Sequence, residues 1–517
     1  MTVTAWISIP MLLCFFGLMI GVGFACRKHA KSVDSFVLGG RAVGPWLTAF
    51  AFGTSYFSAV IFVGYAGQFG WNFGLASTWI GLGNAFIGSL LAWSVLGRRT
   101  RVMTQHLDSK TMPDFFEKRY DSKKLKVIAS FIVFVFLIPY TASLYNGLSS
   151  LFNNVFDIPY WVVVVIMAFL TGVYVIFGGY MATAINDFIQ GIIMLGGIIA
   201  VIAAVLMQNG GFNKAVEALG IAAGDAHTSF FGPNPIFLFF VVMLTSLGTW
   251  GLPQMVGKFY SIKDEGSIKK GTIISTFFAI IVAGGCYFLG GFGKLYESEM
   301  IKGGFITEKG VMFDKVIPTM LSELSPVIVA LVIVLVLAAS MSTLSSLVLT
   351  SSSTLTLDVV KPMSKKSMSE KKSVLVMRLF IVFFIAVSAV IAILKDSVWK
   401  DSVFIAQMMG VSWGALAGAF LAPFLFGLYW KKTSKLSVWA SFIFGAGIMV
   451  LNMLFRSSFP VILQSPINCG VIAMLAGFVI VPIVSLVSPK PKKELVEEMF
   501  ACYNRTVIVP AKESLGD

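Results

Sequence analysis

The sequence predicts an all-α integral membrane protein with about thirteen transmembrane helices. The chain has 517 residues, of which 57% are hydrophobic and 12% are charged, and its mean hydropathy is +0.86. An average soluble domain carries about 25% charged residues. Because a helix needs about 20 apolar residues to cross a bilayer, this composition provides about a dozen spans and leaves little chain for a soluble domain.

Thirteen apolar runs are long enough to cross a membrane. They cover residues 5–25, 44–68, 73–97, 126–153, 159–181, 184–207, 234–257, 271–293, 318–350, 376–395, 402–430, 436–456 and 467–488. No basic residue precedes the first run and a basic segment follows it at 27–31, an order that favours a retained helix over a cleaved signal peptide. We therefore expect residues 1–517 to form a single polytopic membrane domain, with a cytoplasmic tail over 489–517.

The distribution of basic residues predicts the orientation of the chain. With the N-terminus outside and alternating loops, 31 of the 39 Lys and Arg residues lie in inward-facing segments. Positive charge concentrates in cytoplasmic loops, so we expect the N-terminus outside and the C-terminus inside. In a soluble protein the net charge of +14 would suggest nucleic-acid binding, but here the excess lies in the cytoplasmic loops of a chain that spans a lipid bilayer, so we expect no nucleic-acid partner. Five scattered cysteines and three scattered histidines argue against a disulfide scaffold, a zinc site or a haem site.

One acidic residue stands out by its position. Of 25 Asp and Glu residues, only Asp187 lies in the interior of an apolar run, and the others are assigned to loops, helix ends or the tail. A charge within a bilayer is costly and marks a functional candidate. Asp187 is interpreted either as an acid near a helix N-terminus at the inner surface, where the helix dipole favours it, or as a site for a cation or proton.

The ninth apolar run is rich in hydroxyl groups. Five of the seven residues from Ser340 to Ser346 are Ser or Thr. Ser342, Ser345 and Ser346 are spaced so that they share one helix face. Hydroxyl and carbonyl oxygens are ligands that hard cations prefer. The alternative interpretation is close helix packing, which small hydroxyl residues permit.

Two apolar runs contain glycine or proline near their middle, at 51–58 and at 246–253. Such interruptions at corresponding positions of two halves are typical of a transporter binding site. The corresponding units would cover 44–207 and 234–430. Each unit has five helices, an odd number, so the second would be inverted in the membrane. Ordinary glycine within membrane helices is the alternative explanation.

Several stretches, in order, resemble the sodium:solute symporter family, which includes sodium-coupled carriers of proline, pantothenate, sugars, sialic acid and monocarboxylates. The stretches are 38–41 with 44–46, 111–120, 177–179 through Asp187 and Gln190, 253–259 and 339–346. The resemblance runs over about residues 35–435, most of the chain. The resemblance implies a leucine-transporter-type core of two inverted five-helix repeats and sodium-coupled solute import by alternating access in the cell membrane. Separately, the predicted spans contain no paired acids, no His cluster and no nucleophile–base motif, so we do not expect the chain to be an enzyme.

The resemblance further implies one or two sodium ions. The first would be held by the carbonyls of Thr54, Phe57 and Ala339 and the hydroxyls of Ser342 and Thr343. The second would be held by Asp187, Ser342, Ser345 and Ser346, although a proton is the alternative at Asp187. The sequence departs from the family at Asn186, where threonine is usual, and at Lys258, where arginine is common. We expect neither residue to contact the ion ligands.

The substrate region favours a small, partly apolar solute such as an amino acid or a monocarboxylate. Residues 56, 60 and 61 after the first interruption are Tyr, Val and Ile, and no basic residue lies within 127–153. A sugar or sialic acid would need more hydrogen bonds to replace its hydration, and either remains an alternative. A transporter-like membrane sensor is a further alternative. Candidate lining residues are Tyr56, Ser58, Asn84, Tyr140, Tyr145, Thr249, Trp250 and Gln407, and for the aromatic ones simple packing is the competing role.

Overall fold

The computed structural model describes residues 3–156, 158–308, 310–364, 367–398 and 405–504. These residues are almost entirely helical, which confirms the predicted all-α class. The first nine α-helices are α1 (Val3–Cys26), α2 (Val33–Leu38), α3 (Pro45–Tyr56), α4 (Ala66–Phe73), α5 (Thr78–Gly83), α6 (Arg98–His106), α7 (Met112–Tyr120), α8 (Lys123–Phe156) and α9 (Tyr160–Gln208). Wide π-helical turns at Val60–Tyr65, Asn84–Leu91 and Trp93–Gly97 join α3 to α6.

The second half of the chain is also mainly helical. Its helices are α10 (Phe212–Ala223), α11 (Pro235–Ser246), α12 (Pro253–Ser261), α13 (Glu265–Ala279), α14 (Gly285–Gly290), α15 (Glu297–Lys302), α16 (Val316–Ser322), α17 (Pro326–Thr354), α18 (Lys361–Met363), α19 (Glu370–Val398), α20 (Ile405–Tyr429), α21 (Lys435–Leu454), α22 (Val461–Gln464), α23 (Pro466–Val487) and α24 (Lys493–Phe500). One short antiparallel hairpin, β1 (Ile306–Thr307) with β2 (Gly310–Val311), lies between α15 and α16.

Ten helical segments in the described ranges are long and apolar enough to cross a membrane, or eleven if α11 and α12 form one bent span. This number is lower than thirteen partly because neighbouring runs join. The runs at 159–181 and 184–207 form the single 49-residue α9, and the run at 73–97 lies within one 47-residue segment from Val60 to His106. The polytopic membrane architecture is confirmed. The number of thirteen spans and the orientation stay predictions.

The long helix α9 bends at Gly179. This residue has φ +57° and ψ −149°, a conformation outside the helical region that glycine adopts without steric cost. A Cβ atom at this position would lie 2.9 Å from Cδ2 of Phe36 and 3.0 Å from its carbonyl oxygen. The bend therefore lets α2 pack closely on α9, and it begins the half of α9 that carries Asp187.

Both interruptions expected from the sequence are present. α3 ends at Tyr56, and Phe57 is extended, with φ −81° and ψ 117°. On the other side, α11 passes into a 3₁₀ segment at Leu247–Gly251, Leu252 is extended, and α12 then leaves at 47° to α11. The proline at the first position of α12 cannot continue the preceding helix, because it lacks a backbone N–H and its ring clashes with the preceding turn.

Helix α17 is the central element around which the site forms. Nearly all its residues from Val329 onward are buried, including its serines and threonines. It packs against α9, α1, α8, α19 and α3. A helix buried on all sides has no lipid-facing or solvent-facing stripe, so its hydroxyl groups must find partners within the protein.

Candidate cation and solute site

The first cluster of oxygen atoms lies between the end of α3 and the middle of α17. The Thr343 hydroxyl lies 3.2 Å from the Thr54 carbonyl, 3.3 Å from the Phe57 carbonyl and 3.1 Å from the Ala339 carbonyl. The Ser342 hydroxyl lies 3.2 Å from the Thr54 carbonyl and 3.0 Å from the Ala339 carbonyl. The structure thus brings together all five residues expected to hold the first sodium.

The local fold explains why these oxygens are available. The last carbonyls of a helix have no partner within the helix, and the end of α3 at Tyr56 leaves the Thr54 and Phe57 carbonyls in this state. All five residues are at most 1% exposed. Three carbonyls and two hydroxyls provide five uncharged oxygen ligands that are buried from solvent. Such a set can replace the hydration shell of a small hard cation.

The four residues expected to hold a second cation differ from one another in their hydrogen bonding. Asp187 on α9 is fully buried, and neither of its carboxylate oxygens has a hydrogen-bond partner among the described residues. The Ser345 hydroxyl donates to the Ser342 carbonyl at 2.9 Å. The Ser346 hydroxyl lies 2.7 Å from the Ser55 hydroxyl. The serine hydroxyls therefore already have hydrogen-bond partners, whereas the carboxylate has none within hydrogen-bond distance.

The expectation that Lys258 stays away from the ion ligands is wrong. Its ammonium nitrogen Nζ donates to the Ser346 hydroxyl at 3.1 Å and lies 3.6 Å from Oδ2 of Asp187. The bend between α11 and α12 directs α12 toward α17 and α9, which the linear sequence does not reveal. Asn186 agrees with the expectation, because its amide donates to the Met19 carbonyl instead.

Three of the eight candidate solute residues line one small cavity: Tyr56, Asn84 and Thr249. The Asn84 amide donates to the Tyr56 hydroxyl, and its oxygen accepts from Ser246 at 3.0 Å. The remaining wall is largely apolar and includes Phe52, Phe57, Met255, Phe278, Ala279 and Ala283. The cavity adjoins the first oxygen cluster through Phe57.

Three further candidates are buried, and one of them, Tyr140, lies close to Ser58 and to Trp413, which contacts Tyr56. Ser58, Tyr140 and Tyr145 are each at most 2% exposed, and their hydroxyls have no hydrogen-bond partner in the described part of the chain. The Trp413 ring lies 5.7 Å from the Tyr56 ring and 5.9 Å from the Tyr140 ring, centroid to centroid. The Trp413 indole N–H also lacks a described partner. Unpaired buried donors of this kind are suited to a polar group of a bound solute.

Trp413 was not identified from the sequence. It lies inside an apolar run, where a tryptophan by itself gives no signal of contact with a helix far away in the chain. The structure also separates two candidates from this group. The Trp250 indole donates to the Ile87 carbonyl at 3.0 Å. Gln407 accepts from Arg456 at 3.1 Å and lies six residues, or about 9 Å along α20, before Trp413.

A family model decides the identity of the chain. The model of the sodium:solute symporter family matches residues 36–445. The chain belongs to the sodium:solute symporter family. A sodium/proline symporter of Staphylococcus aureus (strain bovine RF122 / ET3-1) is 28% identical over 509 residues, which is 95% of this chain and 93% of that relative. The sodium/proline symporter of strain JH9 has the same identity and coverage.

Solved structures share the fold of this symporter. A Na⁺-coupled sialic acid symporter in a substrate-bound outward-open state has a TM-score of 0.78 at 18% identity, over 94% of this chain and 98% of that one. A nucleobase-cation-symport-1 family transporter in a closed conformation has a TM-score of 0.50 at 14% identity, over 91% of this chain and 98% of that one. The leucine-transporter-type fold is confirmed at this level. The repeat boundaries at 44–207 and 234–430 stay predictions.

The symporter contains a second buried acid that the sequence analysis placed in a loop. Asp358 is 1% exposed, because the helical path of α17 continues as a π-helical turn to Val360. Its Oδ2 accepts from Thr111 at 2.6 Å, and its Oδ1 lies 3.6 Å from Nζ of Lys126. Lys126 also pairs with Asp114 and Glu117, each at 2.8 Å. This ionic group fixes α7 and the start of α8 to the end of α17.

Proposed function

We propose that this symporter imports a small amino acid together with sodium, and that L-proline is the first solute to test. Family membership establishes sodium-coupled symport as the general activity, and multi-pass insertion in the cell membrane follows from it together with the candidate spans. The choice of an amino acid as the transported solute goes beyond family membership. It rests on the site and on the S. aureus sodium/proline symporters that resemble this chain over nearly all its length.

Five buried oxygens meet between α3 and α17, and this observation supports the proposal that sodium binds there. The Ser342 and Thr343 hydroxyls donate to the carbonyls of the interrupted helix. A sodium ion would coordinate these hydroxyls and carbonyls together. It would thus tie the end of α3 to α17 and stabilise the arrangement in which the adjacent cavity is formed.

The solute part of the proposal rests on the chemistry of the surroundings. The largely apolar wall around Tyr56, Asn84 and Thr249 suits a solute with an aliphatic body. The unpaired donors at Ser58, Tyr140 and Trp413 suit its carboxylate. A monocarboxylate shares both features and is the second solute class. A polyhydroxylated sugar would leave most of its hydroxyl groups without partners against this wall.

Alternating access follows from the same geometry. Sodium and solute would bind at the two interruptions, and one group of helices would then move against the rest to expose them to the cytoplasm. Inward movement of sodium supplies about 2.3 kcal/mol per charge per 100 mV of membrane potential, in addition to its concentration gradient. The low sodium concentration of the cytosol would release the ion and with it the solute.

The solute is identified by heat-stability measurements on the purified full-length protein. A ligand that binds the native state raises its unfolding temperature with occupancy. We expect L-proline, or another small amino acid, to raise this temperature in sodium chloride and to have little effect in potassium chloride. Lactate, glucose and sialic acid are the comparison solutes. Stabilisation by sialic acid or glucose alone would contradict the proposed solute class, and equal stabilisation in both salts would contradict sodium coupling.

A further inference from the structure

Lys258 places a fixed positive charge among the residues expected to hold a second sodium. It lies on α12, and its side chain is 4% exposed. Its Nζ donates to Ser346 at 3.1 Å, lies 3.6 Å from Asp187 Oδ2, and sits 5.3 Å from the centroid of the Tyr180 ring. Carboxylate, hydroxyl and aromatic face are all groups that attract a cation.

We propose that the Lys258 ammonium takes the place of a second sodium ion, so that one sodium accompanies each solute. This inference rests on the proposed function, because it concerns the ion count of the same symport site. Lys258 would act as a tethered cation that stays with the protein through the cycle. Its role is one of positioning and charge balance, and it is not a ligand of the transported ion.

Charge balance supports this assignment. Asp187 carries one negative charge and Lys258 one positive charge, so the buried pair is neutral. A second sodium would therefore share the single carboxylate with an ammonium a few ångströms away. Two cations repel strongly in a buried site of low dielectric.

The hydroxyls of the second set connect Lys258 to the first oxygen cluster. Ser342 contributes to the first oxygen cluster, and Ser345 donates to the Ser342 carbonyl. Ser346 joins Lys258 to Ser55, whose hydroxyl in turn bonds to the Ala51 carbonyl of α3 at 2.6 Å. Since Ser55 directly follows Thr54, the lysine holds the helix end that supplies carbonyls to the first cluster.

A cavity gives ions access to this position once the lysine is removed. It extends from Lys258 and Ser346 to Lys110 and Thr111. Lys110 belongs to a segment that the distribution of charge predicts to be cytoplasmic. A shortened neutral side chain at position 258 would leave Asp187 without its counterion at the end of this cavity. Sodium could then reach the carboxylate.

The test counts radioactive sodium ions bound per purified full-length chain, without any solute. We expect one ion for the wild type, two for Lys258→Met, one for Lys258→Arg and one for the double variant Lys258→Met/Asp187→Asn. The arginine variant is the matched control, because it keeps the positive charge. A merely structural lysine would change the stability of the protein but would not raise the ion count from one to two.

The outcomes separate the two proposals. Two ions on the wild type, or a single ion on a folded Lys258→Met variant, would overturn the role of Lys258 and leave sodium symport intact. Zero ions on the wild type would contradict the proposed sodium site itself. If Lys258→Met does not purify as a folded protein, the Lys258→Gln variant replaces it, and the wild-type count still decides whether a second sodium is bound.

Discussion

Replacement of both Ser342 and Thr343 by alanine is expected to abolish sodium-dependent solute uptake. The two hydroxyls supply two of the five oxygens that meet between α3 and α17, and alanine supplies none. Each single replacement is expected to raise the sodium concentration for half-maximal uptake by about 10- to 100-fold, the range seen when groups that support a metal site are removed. Initial uptake rates in proteoliposomes over a series of sodium concentrations measure this change.

Ser340→Ala is the matched control for these variants. Ser340 lies on the same helix and is buried, but its hydroxyl donates only to the Val336 carbonyl of its own helix at 2.8 Å. We expect its sodium dependence to equal that of the wild type. If Ser340→Ala and Ser342→Ala shift the sodium dependence equally, the hydroxyls act through helix packing, and the oxygen cluster is not the sodium site.

A large loss of stability is expected from Lys126→Ala, which removes the cation of the ionic group around Asp358. Asp358 would keep the Thr111 hydroxyl but lose the positive charge 3.6 Å away. Leaving a buried charge without its partner destabilises a protein by about 3–5 kcal/mol. The change is measured as the loss of unfolding free energy, or as a lowered unfolding temperature in detergent.

Two further variants serve as controls for this result. Lys124→Ala removes an exposed lysine two residues earlier and is expected to leave the stability unchanged. The double variant Lys126→Ala/Asp358→Asn is expected to recover part of the lost stability, because it removes the unpaired carboxylate as well. A Lys126→Ala protein as stable as the Lys124→Ala protein would show that the ionic group does not hold α7 and α8 to α17.

The sequence predicts those parts of the site that depend on local signals. Glycine and proline mark the two interruptions, the hydroxyl spacing marks one face of α17, and Asp187 is visible as an acid in an apolar run. These signals belong to single helices, so they can be found without knowledge of the packing. The family resemblance then relates the end of α3 to α17, and the structure brings Thr54 and Thr343 within 3.2 Å of each other.

The parts that the sequence does not predict depend on how helices pack. Lys258 reaches Asp187 only because α12 turns by 47° after the second interruption. Trp413 meets Tyr56 across more than 350 residues of chain. Asp358 is buried because the helical path of α17 continues into a π-helical turn, whereas hydropathy alone ends the apolar run near residue 350. In each case tertiary contact, and not the residue type, decides the role.

Uptake driven by an imposed ion gradient tests sodium-coupled import of an amino acid most directly. Proteoliposomes containing the full-length protein are loaded with potassium and diluted into sodium or potassium buffer with radioactive L-proline outside. We expect transient accumulation of L-proline above its external concentration in sodium buffer only, and none with Ser342→Ala/Thr343→Ala. Equal accumulation in both buffers, or accumulation that follows an imposed proton gradient without sodium, would contradict sodium-coupled import.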